Sequence, residues 1–354
     1  MIKDKVWIDK VVRIKNPVVL RQNTIRLDKS ERISRFGDKV FNDFLKLLTQ
    51  EDFIAYPETA PLIDKLCEHH KVKEKNIYLS PGTDAAIKSF FEMSVIPADQ
   101  VLITTPSFPM YKVYAGLFGA KTVEVSYKED LRFDYELMLD SISGKISLLI
   151  LANPNSPIGD YLELECIEEL VARADKYDIP VLIDEAYYEF SPGTAIGLID
   201  KYENLGVSRT FSKAMGGAGI RVGYVIGSEK LIGKLAKWRL MYEVNQVGVK
   251  FAVYLLDHTD EILEYSKKTK EERELLVRLL TDSGYDVISS QCNWIHLHGK
   301  IQNHKLIETL NKYNVLFKSD SIIPYDNRKD WIRLTIGPGL SSTPYMLDIL
   351  NRNY

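Results

Sequence analysis

Residues 147–190 read SLLILANPNSPIGDYLELECIEELVARADKYDIPVLIDEAYYEF, and the order of patterns within them decides the fold. SLLILA (147–152) and PVLID (180–184) are continuously apolar runs, the pattern of strands covered on both faces. Between them, Glu163 to Tyr177 places Leu164, Ile167, Leu170, Val171 and Ala174 on one side at helical spacing. A strand, a crossover helix and a second strand make a parallel pair with a helix laid over it.

The same alternation extends outward from about residue 75 to 230. Further strands are predicted at 76–79, 100–104, 121–125, 206–211 and 222–226, which gives an α/β fold around a mostly parallel seven-stranded sheet. Past residue 230 the pattern changes to a long charged helical region through Glu272, then short strands around Trp294 to Leu297 and Trp331 to Ile336. This predicts a large domain over 36–245 and a smaller α+β domain assembled from 1–35 and 246–354, with the N-terminal segment running across the surface to join it.

The chain has 354 residues, 45% of them hydrophobic and 27% charged, enough to bury one large core and a smaller second one. Its formal net charge of -3 exerts no general pull on nucleic acid or anionic membranes, so a small-molecule substrate is the expected partner. Cys67, Cys166 and Cys292 are odd in number and widely spaced, which fits reduced packing thiols rather than a disulfide framework or a metal site. The N-terminus has no apolar signal core, and no stretch approaches the ~20 apolar residues of a membrane span. A soluble, cytoplasmic protein is expected.

In open α/β sheets, ligands lie in loops beyond the carboxyl ends of strands. Five such ends carry chemistry: SPGTDAA (80–86), TPSFPMY (105–111), ANPNSPIG (152–159), DEAYYEF (184–190) and SKAMGGAGIRVGY (212–224). Lys213 sits among small residues that let a bulky ligand approach the backbone, and a neutral lysine there can attack a carbonyl. Ser212 and Arg221 supply a hydroxyl and a guanidinium for an anion. Gly82, Thr83 and Asp84 open a helix whose backbone N–H groups face the same kind of ligand. Asp184 ends an apolar strand, where a carboxylate needs a cationic or hydrogen-bonded partner; a protonated ring nitrogen is one. Tyr187 is placed to reach a phenolate oxygen, and Phe108 to stack on an aromatic ligand. Each residue also has a plain reading: a turn lysine, a helix cap, a strand-end aspartate, a core aromatic.

Together these segments resemble the fold type I pyridoxal-phosphate-dependent aminotransferases (class I/II), and within them the histidinol-phosphate aminotransferase-like branch, from about Leu27 to Gly337. The resemblance implies pyridoxal 5'-phosphate as cofactor, with Lys213 as the Schiff-base lysine, Asp184 beside the pyridine nitrogen and Tyr187 on the phenolic oxygen. Ser212, Arg221, Gly82, Thr83 and Asp84 match the phosphate ligands, and Phe108 the ring stacker. Tyr56, in AYPETA, matches a tyrosine that reaches the cofactor phosphate of the other subunit, which implies a homodimer with shared sites. Arg333, in WIRLTIG, matches the arginine that grips the substrate anion.

The family's NPNNPTG loop appears as Asn153 to Gly159, with Ser156 where an asparagine normally donates to the phenolic oxygen; Ser156 acts through water, or Asn155 substitutes. LDKSER replaces an asparagine-rich segment, and Lys318 stands in the place of a second arginine for the substrate's phosphate. The implied activity is transfer of an amino group between a glutamate-like donor and a small anionic, phosphorylated oxo substrate. The alternative is decarboxylation of an O-phospho amino acid on the same cofactor.

Overall fold

The computed structural model describes residues 5–13, 22–300, 303–319 and 330–351. A two-residue strand, β1 (Ile25–Arg26), comes first. The main sheet is built from β2 (Ile77–Ser80), β3 (Gln100–Thr105), β4 (Lys121–Ser126), β5 (Ile146–Ala152), β6 (Val181–Asp184), β7 (Leu205–Thr210) and β8 (Gly223–Gly227). Its spatial order is β2-β8-β7-β6-β5-β3-β4. Four of the pairings are parallel, and β8 runs antiparallel to both of its neighbours. Every one of these strands lies within one residue of its expected position, because runs such as SLLILA are buried on both faces and end abruptly at polar loops.

The predicted crossover helix is Leu164–Asp175, and it buries Ile167, Leu170, Val171 and Ala174. The face of the sheet that it covers shares a cluster with Leu149, Leu151, Ile183 and Val207, while Phe90, Phe91, Ile103, Ile150 and Leu182 pack on the opposite face. The helix Gln246–Asp257, just past residue 245, buries Val249, Ala252 and Leu255 in the first of these clusters, beside Phe44 and Leu62.

The charged helix extends further than its composition suggested. It runs Thr259–Asp282 rather than ending near Glu272, since Leu276 and Leu280 continue the buried stripe into a third cluster, and the chain turns only at Gly284. That cluster lies under a second sheet built from β9 (Asp286–Ile288), β10 (Trp294–His298), β12 (Lys318–Ser319) and β13 (Ile332–Thr335), in the order β12-β13-β10-β9 and antiparallel throughout. Between them, β11 (Val315–Leu316) pairs in parallel with β1, and Leu27 enters the third cluster. The N-terminal segment also touches the large sheet's periphery: Trp7 Nε1 donates to the Leu117 carbonyl. Among the described residues, no helix is long and apolar enough to cross a membrane.

Where the long helix crosses the turn after β6, Ser266 Oγ donates to the Glu189 carbonyl. The Glu189 carboxyl is buried there, and its Oε2 has no hydrogen-bond partner. Burial pushes it from an ordinary 4.5 up to about 7. The folded state therefore holds a proton that the unfolded chain has released. Stability from this group is full below about pH 4.5 and falls as pH rises through 7, by about 3 kcal/mol. Glu189→Gln should flatten this part of the pH profile, with a higher thermal midpoint than wild type at pH 8 and near parity at pH 4.5. Parallel wild-type and variant profiles would refute it.

Candidate active site

The carboxyl ends of the parallel strands converge on a cavity of about 170 Å3 that brings together Thr83, Asp84, Phe108, Ser156, Asp184, Tyr187, Ser212, Lys213 and Arg221. Residues spread over about 140 positions of sequence thus share one small space because the loops at strand ends share one edge of the sheet.

At its floor lies Asp184, the last residue of β6. Ser208 is its register neighbour on β7 and donates through Oγ to Asp184 Oδ1 at 3.0 Å. The fully buried Tyr111 donates through its hydroxyl to Oδ2 at 2.8 Å. Burial pushes the Asp184 carboxyl up, and these two donors pull it back toward the ionised form. A carboxylate has room for about four hydrogen bonds, so acceptor capacity remains on the cavity side. The next residue along each strand points to the other face of the sheet. There Arg209 donates from Nε and Nη2 to Glu185 Oε2 at 3.1 and 2.9 Å, with both side chains all but excluded from solvent. A carboxylate is therefore fixed on each face of the same strand by a partner from β7.

Opposite the carboxylate is a set of donors. The helix Thr83–Ser94 begins at Gly82 and points its N-terminus into the cavity. Arg221 reaches across, donating from Nη1 to Ser212 Oγ at 3.2 Å, and Thr210 Oγ1 donates to the same oxygen at 3.0 Å. Gly82 has φ +81, and a Cβ there would stand 2.5 Å from Arg221 Nη2, so glycine is needed both for the turn and for the guanidinium's approach.

Lys213 lies between these two ends. Its Nζ donates to the Lys29 carbonyl at 3.0 Å and stands 5.0 Å from the centre of the Tyr187 ring. A carboxylate at one end, an anion cradle at the other, an aromatic ring from Phe108 in the lining and an amine between them suit a flat, phosphorylated, nitrogen-containing ring that bears a carbonyl group.

Not every expected residue reaches this space. Ser156 lines the cavity, whereas Asn155 does not. The Asn155 amide donates to Thr104 Oγ1 at 3.3 Å and the Pro106 carbonyl at 3.4 Å, while its Oδ1 accepts from the Ile158 backbone at 3.1 Å. Its polar atoms hold the loop, which leaves Ser156 as the polar group facing inward. Tyr56 is 72% exposed and stacks on Tyr242 with ring centres 4.0 Å apart, outside the cavity of its own chain.

Arg333 and Lys318 lie on the second sheet. They are register partners across β13 and β12, and His296 of β10 faces Arg333 from the other side, so the three side chains share one face. Lys318 is exposed; burial lowers the Arg333 guanidinium, opposed by Tyr187, Cys292 and Asp28. That face meets the strand-end loops, for Trp294 Nε1 and His296 Nε2 both contact the Pro157 carbonyl, at 3.1 and 2.8 Å.

Tyr111, Ser208, Trp294 and His296 were not singled out from the sequence. Tyr111 closes the TPSFPMY stretch, three residues after Phe108, and is the most legible of the four; Ser208 acquires its role only through strand register. Tyr111→Phe removes the donor to Asp184 Oδ2 at 2.8 Å and leaves a buried carboxylate oxygen short of a partner. Urea denaturation should report a loss of about 1–3 kcal/mol, and an unchanged midpoint would show that Asp184 does not depend on this hydroxyl.

The sequence matches the family Aminotransferase class I and II over residues 16–345. It is 34% identical over 292 residues to the histidinol-phosphate aminotransferase of Sulfurisphaera tokodaii, covering 81% of each chain. It is 30% identical over 333 residues to histidinol-phosphate aminotransferase 2 of Carboxydothermus hydrogenoformans, covering 92% of this chain and 90% of that one. In structure it is similar to the histidinol-phosphate aminotransferase of Sinorhizobium meliloti in complex with pyridoxal-5'-phosphate, with a TM-score of 0.84, 22% identity and coverage of 99% and 96%.

Proposed function

The chain belongs to the class I and II aminotransferases, and from that premise we propose that it exchanges an amino group between a glutamate-like amino acid and a small anionic, phosphorylated oxo compound, with pyridoxal 5'-phosphate as cofactor. The observation that carries this reading is the single cavity in which Lys213, Asp184, Ser212 and Arg221 meet. Bound there, the cofactor supplies a carbonyl that accepts an amino group and a ring that withdraws electrons from the carbon giving up a proton.

Each residue then has one task. Ser212, Arg221, Thr83 and the backbone from Gly82 to Asp84 bind the phosphate, using hydroxyl, guanidinium and helix N-terminal donors already arranged around one point. Asp184 would pair with the ring nitrogen, and the donors from Tyr111 and Ser208 oppose the effect of burial on its carboxyl. Phe108 covers the ring. Tyr187 and Ser156 serve the phenolic oxygen, the serine taking the position of a longer amide.

Lys213 anchors the cofactor covalently. When free of that bond, its amine would take a proton from the substrate carbon and return it, as base and then acid. The Lys29 carbonyl, 3.0 Å from Nζ, is a resting partner for that amine. Arg333 grips the substrate's anionic end, with Lys318 beside it in register as a second cation.

The working unit is a homodimer. Tyr56 is 72% exposed and lies against Tyr242 on a surface that also exposes Phe53, Ile54, Trp238, Leu240 and Met241. A second copy covers this apolar surface and receives Tyr56 at its own phosphate cradle.

Two measurements test the reading. Borohydride reduction of the cofactor-loaded protein should leave a stable adduct on the peptide containing Lys213, and Lys213→Ala should abolish it; an undiminished adduct in the variant would move the attachment point elsewhere. Added glutamate should release 2-oxoglutarate stoichiometrically without an acceptor and without carbon dioxide. Carbon dioxide released instead from threonine phosphate or serine phosphate would replace transamination with decarboxylation.

A further inference from the structure

Trp294 is the largest fully buried side chain among the described residues, and each of its faces or edges meets a different part of the site. The Arg333 guanidinium lies over its ring, 4.8 Å from the centre. The Tyr187 ring meets it edge-on, with centres 4.7 Å apart and planes at 84°. Its Nε1–H donates at 3.1 Å to the carbonyl of Pro157, the residue after Ser156. Trp294 and Arg333 are diagonal neighbours on one face of the second sheet, since Trp294 pairs with Thr335 and His296 with Arg333.

The way Arg333 is held sets it apart from the other arginines buried in the fold. Arg209 is paired with Glu185 and Arg32 with Glu261, while Arg273 donates to the Cys292 carbonyl. Among the described residues, the Arg333 side chain makes no hydrogen bond or salt bridge, Asp28 acts on it only as a more distant charge, and the indole of Trp294 is its one ring contact. A guanidinium paired with a resident carboxylate must break that pair before it can bind an anion. Stacked on an aromatic face, it is oriented and partly desolvated while its in-plane N–H donors stay free.

We propose that Trp294 is the positioning residue of the substrate end of the site: its face holds Arg333 ready for a carboxylate or phosphate, and its edge and N–H tie that grip to Tyr187 and to the loop carrying Ser156. The proposal rests on Arg333 being the anion grip. It adds that the grip is oriented by stacking instead of by a hydrogen-bonded carboxylate, and that the anion subsite and the cofactor's phenolic side are aligned through one ring.

The test is calorimetric titration of the cofactor-loaded protein with glutarate, a dicarboxylate that lacks an amino group and cannot turn over. Trp294→Met fills most of the volume but removes the aromatic face, and it should weaken glutarate binding roughly 3–30-fold, the range of a cation–aromatic contact. Trp294→Phe keeps a ring face without the N–H and should bind within about 3-fold of wild type, on the same contact energies. In an Arg333→Lys background, Trp294→Met should cost far less than it does alone, because the two residues act through one contact.

Unchanged glutarate affinity in Trp294→Met, or an equal loss in the Arg333→Lys background, would overturn the proposal while leaving Arg333 as the grip. An Arg333→Lys variant that binds glutarate like wild type would remove the grip itself, and the proposal with it. The phenylalanine variant decides independently of whether the methionine variant folds: a large loss of affinity in Trp294→Phe would mean that the ring face is not what holds Arg333.

Discussion

A carboxylate buried at the end of an apolar strand is the constraint around which this structure is arranged. Asp184 lies where water cannot solvate its charge, so the fold must supply hydrogen-bond donors. They come from two directions. Ser208 arrives because β7 pairs with β6 in the register that sets it opposite Asp184, and Tyr111 arrives because the helix Met110–Leu117 follows the loop after β3. Neither donor is local in sequence. The floor of the cavity is consequently as stable as the parallel sheet and no more so, and the charged pair Arg209 and Glu185 repeats the same strand pairing on the opposite face.

The anion cradle across the cavity obeys a different rule, that of close backbone approach. Arg221 adopts a positive φ of 55° at the entrance to β8, and Gly82 does so at 81° where the helix begins. These two unusual conformations bring a guanidinium and a helix N-terminus to one point. The antiparallel β8 makes this possible: it runs against both β2 and β7, so the start of β8 lies at the same edge of the sheet as the ends of its neighbours. A wholly parallel sheet would have put Arg221 at the far edge.

The two faces of the second sheet differ in character. Ile295, Leu297, Ile332 and Leu334 turn toward the cluster shared with Leu276 and Leu280. Trp294, His296 and Arg333 turn the other way, where the indole and imidazole contact the Pro157 carbonyl. Gly159 completes this seam, since a Cβ there would lie 2.1 Å from Ser290 Cβ and would drive the two parts of the chain apart. The sheet face that carries Arg333 and the loop that carries Ser156 are therefore coupled through packing at one contact.

By itself, the sequence determined the alternation of strands and helices and the five strand ends that carry chemistry, because apolar runs, helical periodicity and loop residues such as Gly82 and Lys213 are local signals. It also carried the family, through motifs in order along most of the chain. Only the tertiary structure decided which polar atoms face the cavity. Asn155 and Ser156 are adjacent and both polar, yet one holds the loop and the other faces inward, a choice made by Thr104 and Pro106 from a distant strand end. Tyr111 meeting Asp184, and Arg333 lying on Trp294 with Lys318 in register, follow from long-range pairing that no local pattern encodes. The helix beyond Glu272 belongs with these, for its length is set by the third cluster that Leu276 and Leu280 complete and not by the polar residues along its surface.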